Sequence, residues 1–136
     1  MSLFNVFDIS GSALTAQSVR LNAISSNLAN SEVVSSSEET AYRARYPVFS
    51  AAFDSAMGRE SVGVKVDGMV ESSMLSQQGI GSTHPLADED GYIYMSNVNN
   101  VEEMANMISA SRSYQSSVEA MNTTKQLIMR TLNLGR

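Results

Sequence analysis

The sequence contains no cysteine, no tryptophan, one histidine and two prolines among 136 residues. Without cysteine, the chain has neither disulfide bridges nor thiolate chemistry. Charged residues make up only 17%, which is low for a soluble domain. No window holds the roughly 18 consecutive apolar residues that a membrane-spanning helix needs. The first residues lack a basic segment followed by an apolar run, so we expect no cleaved secretory signal.

Uncharged polar residues take the place of the missing charges. The chain has 23 serines and 10 asparagines, and such side chains can be buried in protein–protein contacts at a lower desolvation cost than charges. Nine methionines supply flexible apolar side chains that adapt to irregular contacts. The net charge of −5 argues against a general affinity for nucleic acid. The composition therefore favours a protein that assembles with other proteins.

The first 30 residues predict an N-terminal helix. Phe7, Leu14, Leu21 and Leu28 repeat every seven residues, and Ile24 adds a companion position. We expect the helix to stop at Asn30-Ser31, with Asn30 in the left-handed conformation that asparagine tolerates.

Residues 31–95 predict an insert of short strands and loops. The stretch 42–49 favours a strand, which Pro47 limits to an edge or a short strand. Residues 62–66 alternate with the period of a strand. Gly68, Gly79 and Gly81 predict breaks, and Asp90-Gly91 predicts a tight turn before a further short strand.

Residues 96–136 predict a long C-terminal helix. Its positions at alternating spacings of three and four give the 3.5-residue period of a left-handed coiled coil. Asn100 with Glu103 predicts an N-terminal cap, and Gly135 predicts a C-terminal cap. The periodic positions are Met104, Met107, Ser111, Tyr114, Val118, Met121, Lys125, Ile128 and Leu132.

Together these segments predict a mainly α fold with a small β insert, of the α+β class. The N- and C-terminal helices are the only two long apolar stripes, so we expect them to pair as an antiparallel, coiled-coil-like hairpin. Such a pair leaves much of each helix uncovered, and with so few charges those free faces suit neighbouring subunits. An ordinary hairpin that stabilises a single monomer is the alternative.

The residue types that carry catalysis or metal binding are scarce. His84 has no second histidine or cysteine to complete a metal site or a catalytic triad. Asp88-Glu89-Asp90-Gly91 lacks the ligand spacing of a calcium-binding loop. We therefore expect no enzyme activity, no metal, no cofactor and no small-molecule substrate.

Both ends of the sequence resemble the bacterial flagellar axial proteins, which comprise rod, hook and related subunits. Gln17, Arg20-Leu21, Ile24 and the run 26–30 (Ser-Asn-Leu-Ala-Asn) are similar to the N-terminal signature of that family. Residues 97–99, 102–104, 107–110 and 131–135 resemble its C-terminal signature. In the middle, residues 42–49, 63–66 and 84–92 resemble the short subunits of the proximal rod.

The resemblance implies a structural subunit of the periplasmic rod of the flagellar basal body, exported by the flagellar type III apparatus. It implies a tubular drive shaft, built by the paired helices, that transmits torque around an export channel, with the insert facing outward. Implied partners are other copies, other rod subunits, and membrane-ring and export-gate components at the rod base. A soluble coiled-coil adaptor or export chaperone, and a hydrolase that uses serine and His84, are the alternatives.

The predicted assembly interface follows the apolar repeats of both helices and the asparagines of the N-terminal signature. Its residues are Phe7, Leu14, Leu21, Ile24, Asn27, Leu28, Asn30, Met104, Met107, Tyr114, Val118, Met121, Ile128 and Leu132.

Overall fold

Two long helices begin and end the described part of the chain. A computed structural model describes residues 3–53 and 62–135. Helix α1 extends over Leu3–Ala29 and helix α2 over Asn100–Leu134, and the described residues between them form five strands. The predicted α+β fold with two terminal helices is confirmed. Over the described ranges, neither helix is apolar enough to cross a membrane.

Side-chain hydrogen bonds cap the end of α1. The Asn30 side-chain amide donates to the carbonyl oxygen of Ser26 at 2.7 Å, and the Ser31 hydroxyl donates to that of Leu28 at 2.8 Å. The same two carbonyl oxygens also accept the backbone amides of Asn30 at 3.1 Å and Ser31 at 3.3 Å, so the side chains add hydrogen bonds at a helix end, where few carbonyls have intrahelical partners. The predicted stop is confirmed. The left-handed Asn30 is wrong, because no described non-glycine residue has a positive φ.

Asn99 caps the start of α2. Its Oδ1 atom accepts from the backbone amides of Val101 at 3.1 Å and Glu102 at 3.4 Å, and its carbonyl accepts from that of Glu103 at 2.9 Å. This is the geometry of an N-cap residue. The predicted cap formed by Asn100 and Glu103 is wrong by one residue, since Asn100 is already helical.

The chain forms two compact units, to each of which both helices contribute. Unit 1 comprises Met1–Leu21, Pro47–Gly68 and Ser109–Arg136, and unit 2 comprises Asn22–Tyr46 and Met69–Ile108.

In unit 1 the two helices are antiparallel. Near the start of α1, a Cβ atom built on Gly11 would lie 3.6 Å from Cε of Met121. Further along α1, Leu14 and Val19 line an open groove with Tyr114, which lies earlier in α2. Contacts that advance along α1 therefore run back along α2, as the predicted hairpin requires.

The strands belong to two separate sheets. Strand β2 (Arg45–Phe53) pairs with β3 (Val62–Glu71) in a two-stranded sheet, so Pro47 lies in an edge strand, as predicted. Strands β1 (Val34–Ser35), β5 (Tyr92–Met95) and β4 (Gln77–Ile80) form an antiparallel sheet in that order. The strand predicted at 62–66 is confirmed, although it continues for five further residues.

The predicted turn before β5 is confirmed and depends on Asp88. Its Oδ1 atom accepts from the amides of Asp90 at 3.1 Å and Tyr92 at 2.7 Å. Gly91 has φ of 82°, a conformation that a residue with a side chain adopts only with strain. Gly91 is the only described glycine with positive φ, so Gly135, where the sequence predicts a C-terminal cap, does not adopt the left-handed conformation common for such caps.

Of the three glycines predicted to mark breaks, Gly81 lies at the end of a strand, and Gly79 and Gly81 both pack closely against Ile93. Gly68 and Gly79 lie inside β3 and β4, so the breaks predicted there are wrong. Gly81 directly follows β4, where a Cβ atom would lie 2.9 Å from Cγ2 of Ile93 and 3.2 Å from its Cδ1.

We expect Gly81→Ala to lower the free energy of unfolding by about 1–2 kcal/mol, because the new methyl group overlaps a β-branched side chain that has little freedom to move. Denaturant unfolding checks this value. The control is Gly68→Ala, where a Cβ atom meets nothing within 4 Å. Equal stability of the two variants would contradict the packing argument.

Candidate assembly interface

A buried asparagine links α1 to the rest of unit 2. Asn27 is 0% exposed. Its Oδ1 atom accepts from the Arg45 backbone amide at 2.9 Å and from the Tyr42 hydroxyl at 3.0 Å. Its Nδ2 atom donates to the Arg45 carbonyl at 3.0 Å and to Oε2 of Glu103 at 2.9 Å. Both polar atoms are therefore fully engaged within the chain.

The carboxylate that Asn27 contacts is also buried. Glu103 is 1% exposed, and its Oε1 atom accepts from the Tyr46 hydroxyl and the Asn106 side-chain amide, each at 3.3 Å. Within the described residues Glu103 has no ion pair, and its negative charge is stabilised by neutral donors. We call Asn27, Tyr42, Tyr46, Glu103 and Asn106 the Asn27–Glu103 cluster; it joins α1, α2 and the start of β2.

The cluster changes the acidity of one tyrosine. Partial burial, followed by the negative charge of Glu103 and the hydrogen bond to it, raises the pKa of Tyr46 above its ordinary value of 10.0. A folded-state pKa above the unfolded value means that the folded chain holds this proton more tightly. The resulting stability is present below about pH 10 and is lost as the pH rises through the folded-state pKa.

We therefore expect the free energy of unfolding to fall less between pH 9 and pH 11.5 (about one unit below and about one and a half units above the reference pKa) in Tyr46→Phe than in the unsubstituted chain. Denaturant titrations at both pH values measure the difference. The pKa of Tyr94 is raised too, by burial and then by Asp88, but its contribution is common to both proteins and cancels. Equal losses in the two proteins would contradict the assignment to Tyr46.

The apolar core is made mostly of small side chains. Five of the seven buried apolar residues in the described ranges are alanines. Burial of apolar area contributes about 25 cal/mol per Å², and an alanine methyl group has little area. The buried apolar residues are Ala16, Ala23, Ile24, Ala41, Ala44, Val98 and Ala110.

The fourteen residues of the predicted interface differ in exposure. Ile24 and Asn27 are buried, and Asn27 makes its contacts within the chain. Their role at an assembly interface stays a prediction. The half-buried residues are Leu14, Leu21, Leu28, Asn30, Met107, Val118, Met121 and Ile128. The exposed residues are Phe7, Met104, Tyr114 and Leu132.

The most buried positions of α2 each lie one residue before a predicted periodic position of the series 104, 111, 118 and 125. Glu103, Ala110 and Thr124 are 1%, 0% and 5% exposed, with half-buried Ser117 at the same seven-residue spacing. Thr124 and Ser117 satisfy their hydroxyl groups by donating to carbonyls four residues earlier. The predicted positions 104, 111, 118, 125 and 132 are therefore wrong as the centre of the α2 surface that is buried within the chain.

Large apolar side chains are exposed along α2. This 35-residue helix therefore presents large apolar side chains that contacts within the chain leave uncovered, and exposed apolar surface of this kind is typical of a protein–protein contact. Those exposed by more than half are Val101 (77%), Met104 (59%), Ile108 (56%), Met129 (55%), Leu132 (64%) and Leu134 (87%).

The residues considered for catalysis lie in turns. His84 is exposed, and its Nδ1 atom accepts the backbone amide of Leu86 at 3.2 Å. Asp88 uses its carboxylate to form the turn before β5. In the ranges 3–53 and 62–135, no three acidic or histidine side chains come together in a way that could hold a metal ion.

Two family models match the ends of the chain. The model described as flagella basal body rod protein matches residues 7–34, which include most of α1. The model described as flagellar basal body rod FlgEFG protein C-terminal matches residues 89–134, which include β5 and α2. The matched segments contain Asn27 and Glu103, the two most buried polar residues of the cluster.

Full-length relatives carry one name. The chain is 47% identical over 136 residues to the flagellar basal-body rod protein FlgC of Salmonella typhimurium and 48% identical over 136 residues to that of Escherichia coli O157:H7, with 100% of each chain covered. It is 41% identical over 137 residues to the FlgC protein of Buchnera aphidicola from Acyrthosiphon pisum, with 99% of each chain covered. These names describe a rod protein and not an enzyme. With its two terminal segments matched to rod-protein models and its whole length matched to these relatives, the chain belongs to the FlgC family of flagellar basal-body rod proteins.

Proposed function

We propose that this chain, a structural subunit of the flagellar basal-body rod, polymerises through α1 and α2 into the tubular wall of the proximal rod. In that position it transmits torque and surrounds the export channel. The observation that carries the proposal is the set of exposed large apolar side chains near each end of α2, at residues 101–108 and 129–134, in a chain whose described buried core is mostly alanine.

The energetics favour burial of these exposed side chains by neighbouring subunits. Full burial of one large apolar side chain contributes about 1.5–3 kcal/mol, whereas association of two proteins costs about 4–15 kcal/mol in lost freedom. One such side chain cannot offset that cost. Covering several along α2 can, and a subunit in a tube wall has neighbours on several sides. Phe7, Met104, Tyr114 and Leu132 are the predicted interface residues with the most surface to offer.

The finer parts of the proposal concern location and partners. The helical segments 1–30 and 96–136 form the inner wall, and the insert 31–95 faces outward. The chain reaches the periplasm through the flagellar type III apparatus without a cleaved signal. At the rod base it contacts other rod subunits, membrane-ring components and the export gate. The low charge and the many serine and asparagine side chains support contacts of this kind.

Electron microscopy of labelled basal bodies tests the proposal. A small tag inserted after Glu89, an exposed residue in the turn before β5, should add density to the outer side of the rod near its base in detergent-extracted basal bodies. Untagged basal bodies are the control. A tagged chain that supports motility but is absent from the rod would overturn the proposal, and a soluble adaptor or chaperone would give that result.

A further inference from the structure

Charge is divided unevenly between the two units. Unit 2 has nine acidic and two basic residues, whereas the described residues of unit 1 have three acidic and five basic ones. The resulting net charges are −7 and +2. Opposite net charges on different parts of one chain favour contacts in which unlike parts of neighbouring copies meet.

The basic side has a defined surface on α2. Asn122, Lys125, Gln126, Met129 and Arg130 recur at spacings of three and four, so they share one helix face, and they line an open groove of about 480 Å³. All five are exposed. Among the residues with described positions, neither Lys125 nor Arg130 has a carboxylate within 4.0 Å. We call this surface the basic groove.

The acidic side lies where α1 ends and α2 begins. Glu32 follows the last turn of α1 and Glu102 lies in the first turn of α2, and both are exposed. The bond of 2.9 Å between Asn27 and Glu103 holds these two helix ends together within unit 2. In the described ranges neither Glu32 nor Glu102 forms an ion pair. We call Glu32 and Glu102 the acidic end.

We propose that the basic groove of one copy docks onto the acidic end of a second copy of this chain. The two surfaces differ, so the contact is head-to-tail and leaves one surface of each kind free for the next copy in the same direction. Met129, 55% exposed at the groove, adds apolar contact to the charge pairing. The inference rests on the proposed function and adds to it the surface that sets the direction of stacking.

Engineered cysteines test the contact cleanly, because the chain has none of its own. A chain carrying Gln126→Cys in the basic groove and Ala105→Cys beside the acidic end should form a ladder of disulfide-linked multimers in oxidised basal bodies. Lys125→Glu with Arg130→Glu in that chain should reduce the multimers about tenfold or more, because like charges then face each other.

A charge swap separates the contact from a general loss of structure. Adding Glu32→Lys and Glu102→Lys to the two groove substitutions exchanges the signs of both surfaces, and the ladder should return to within about threefold of its original yield. The control is Lys65→Glu, which makes the same change of charge on β3 and should leave the ladder intact. Lys65 lies 3.6 Å from Asp67.

Three outcomes would overturn the inference. They are multimers unaffected by the groove substitutions, a charge-swapped chain that is recovered in basal bodies but forms no multimers, and an unswapped cysteine chain that is recovered there but forms none, which would place a different protein at the groove. In all three the chain is still in the rod, so the proposed function stands. Absence of the unsubstituted chain from basal bodies would instead overturn the proposed function and this inference with it.

Discussion

Replacing Asn27 by alanine should lower the free energy of unfolding by about 3–4 kcal/mol, near the upper end for a single substitution. The change removes four hydrogen bonds at a position with no access to solvent. It takes the Asn27 partner from the backbone amide and the backbone carbonyl of Arg45, and it takes one donor from the buried carboxylate of Glu103. Denaturant unfolding measures the loss, and hydrogen exchange at the Arg45 amide locates it.

The matched control is Asn22→Ala. Asn22 lies on the same helix and is exposed, so its replacement should change stability by no more than about 0.5 kcal/mol. If Asn27→Ala proved as mild as this control, the cluster would contribute little to the fold, and the Arg45 amide would exchange equally fast in both variants.

Replacing Leu132 by glutamate should abolish rod assembly while leaving the isolated chain folded. Leu132 is 64% exposed, so the charge costs the monomer at most about 0.5 kcal/mol. In an assembled wall the same carboxylate would be buried without a partner, at a cost of several kcal/mol in every copy. A loss of about 3 kcal/mol per contact weakens binding more than 100-fold. Motility of cells with the variant as their only copy, and rod counts in extracted basal bodies, measure the effect.

Gln115→Glu controls for the added charge. Gln115 is exposed on the same helix, but its polar side chain gives up no apolar contact. We expect cells with this variant to swim. If cells with Leu132→Glu swam as well as cells with Gln115→Glu, the apolar face that contains Leu132 would not be covered in the rod.

Apolar periodicity predicted the helices correctly because each has a long repeat. It misplaced the centre of the α2 contact by one residue, because Glu103, Ser117 and Thr124 occupy buried positions. A pattern of large apolar residues cannot detect polar side chains that are satisfied once buried. The hydroxyl groups bond to their own helix, and Glu103 bonds to residues far away in the sequence.

The partner of Asn27 could not be predicted from local sequence. The N-terminal signature drew attention to this asparagine, but its contacts lie 18 and 76 positions away. Glu103 was assigned to a cap because it follows Asn100 at the right spacing. The cap itself is Asn99, and two adjacent asparagines offer no local basis for choosing between them. In the insert, the sequence predicted a break at Gly79 because glycine is common in turns. Its place in β4 depends on pairing with Ile93 of β5, which the local sequence does not reveal.

The Asn27–Glu103 cluster also fixes the register of the two helices where they meet in unit 2. An apolar stripe tolerates sliding, because one large side chain can replace another. A slide of α2 by one residue would bring Glu102 or Met104 opposite Asn27 and move the carboxylate of Glu103 away from its donors Asn27 and Tyr46. A slide of one residue therefore costs the full energy of these hydrogen bonds, whereas the packing energy of a stripe of alanines changes little. One buried polar contact therefore gives every copy the same alignment, and repeated copies can then form surfaces of uniform spacing.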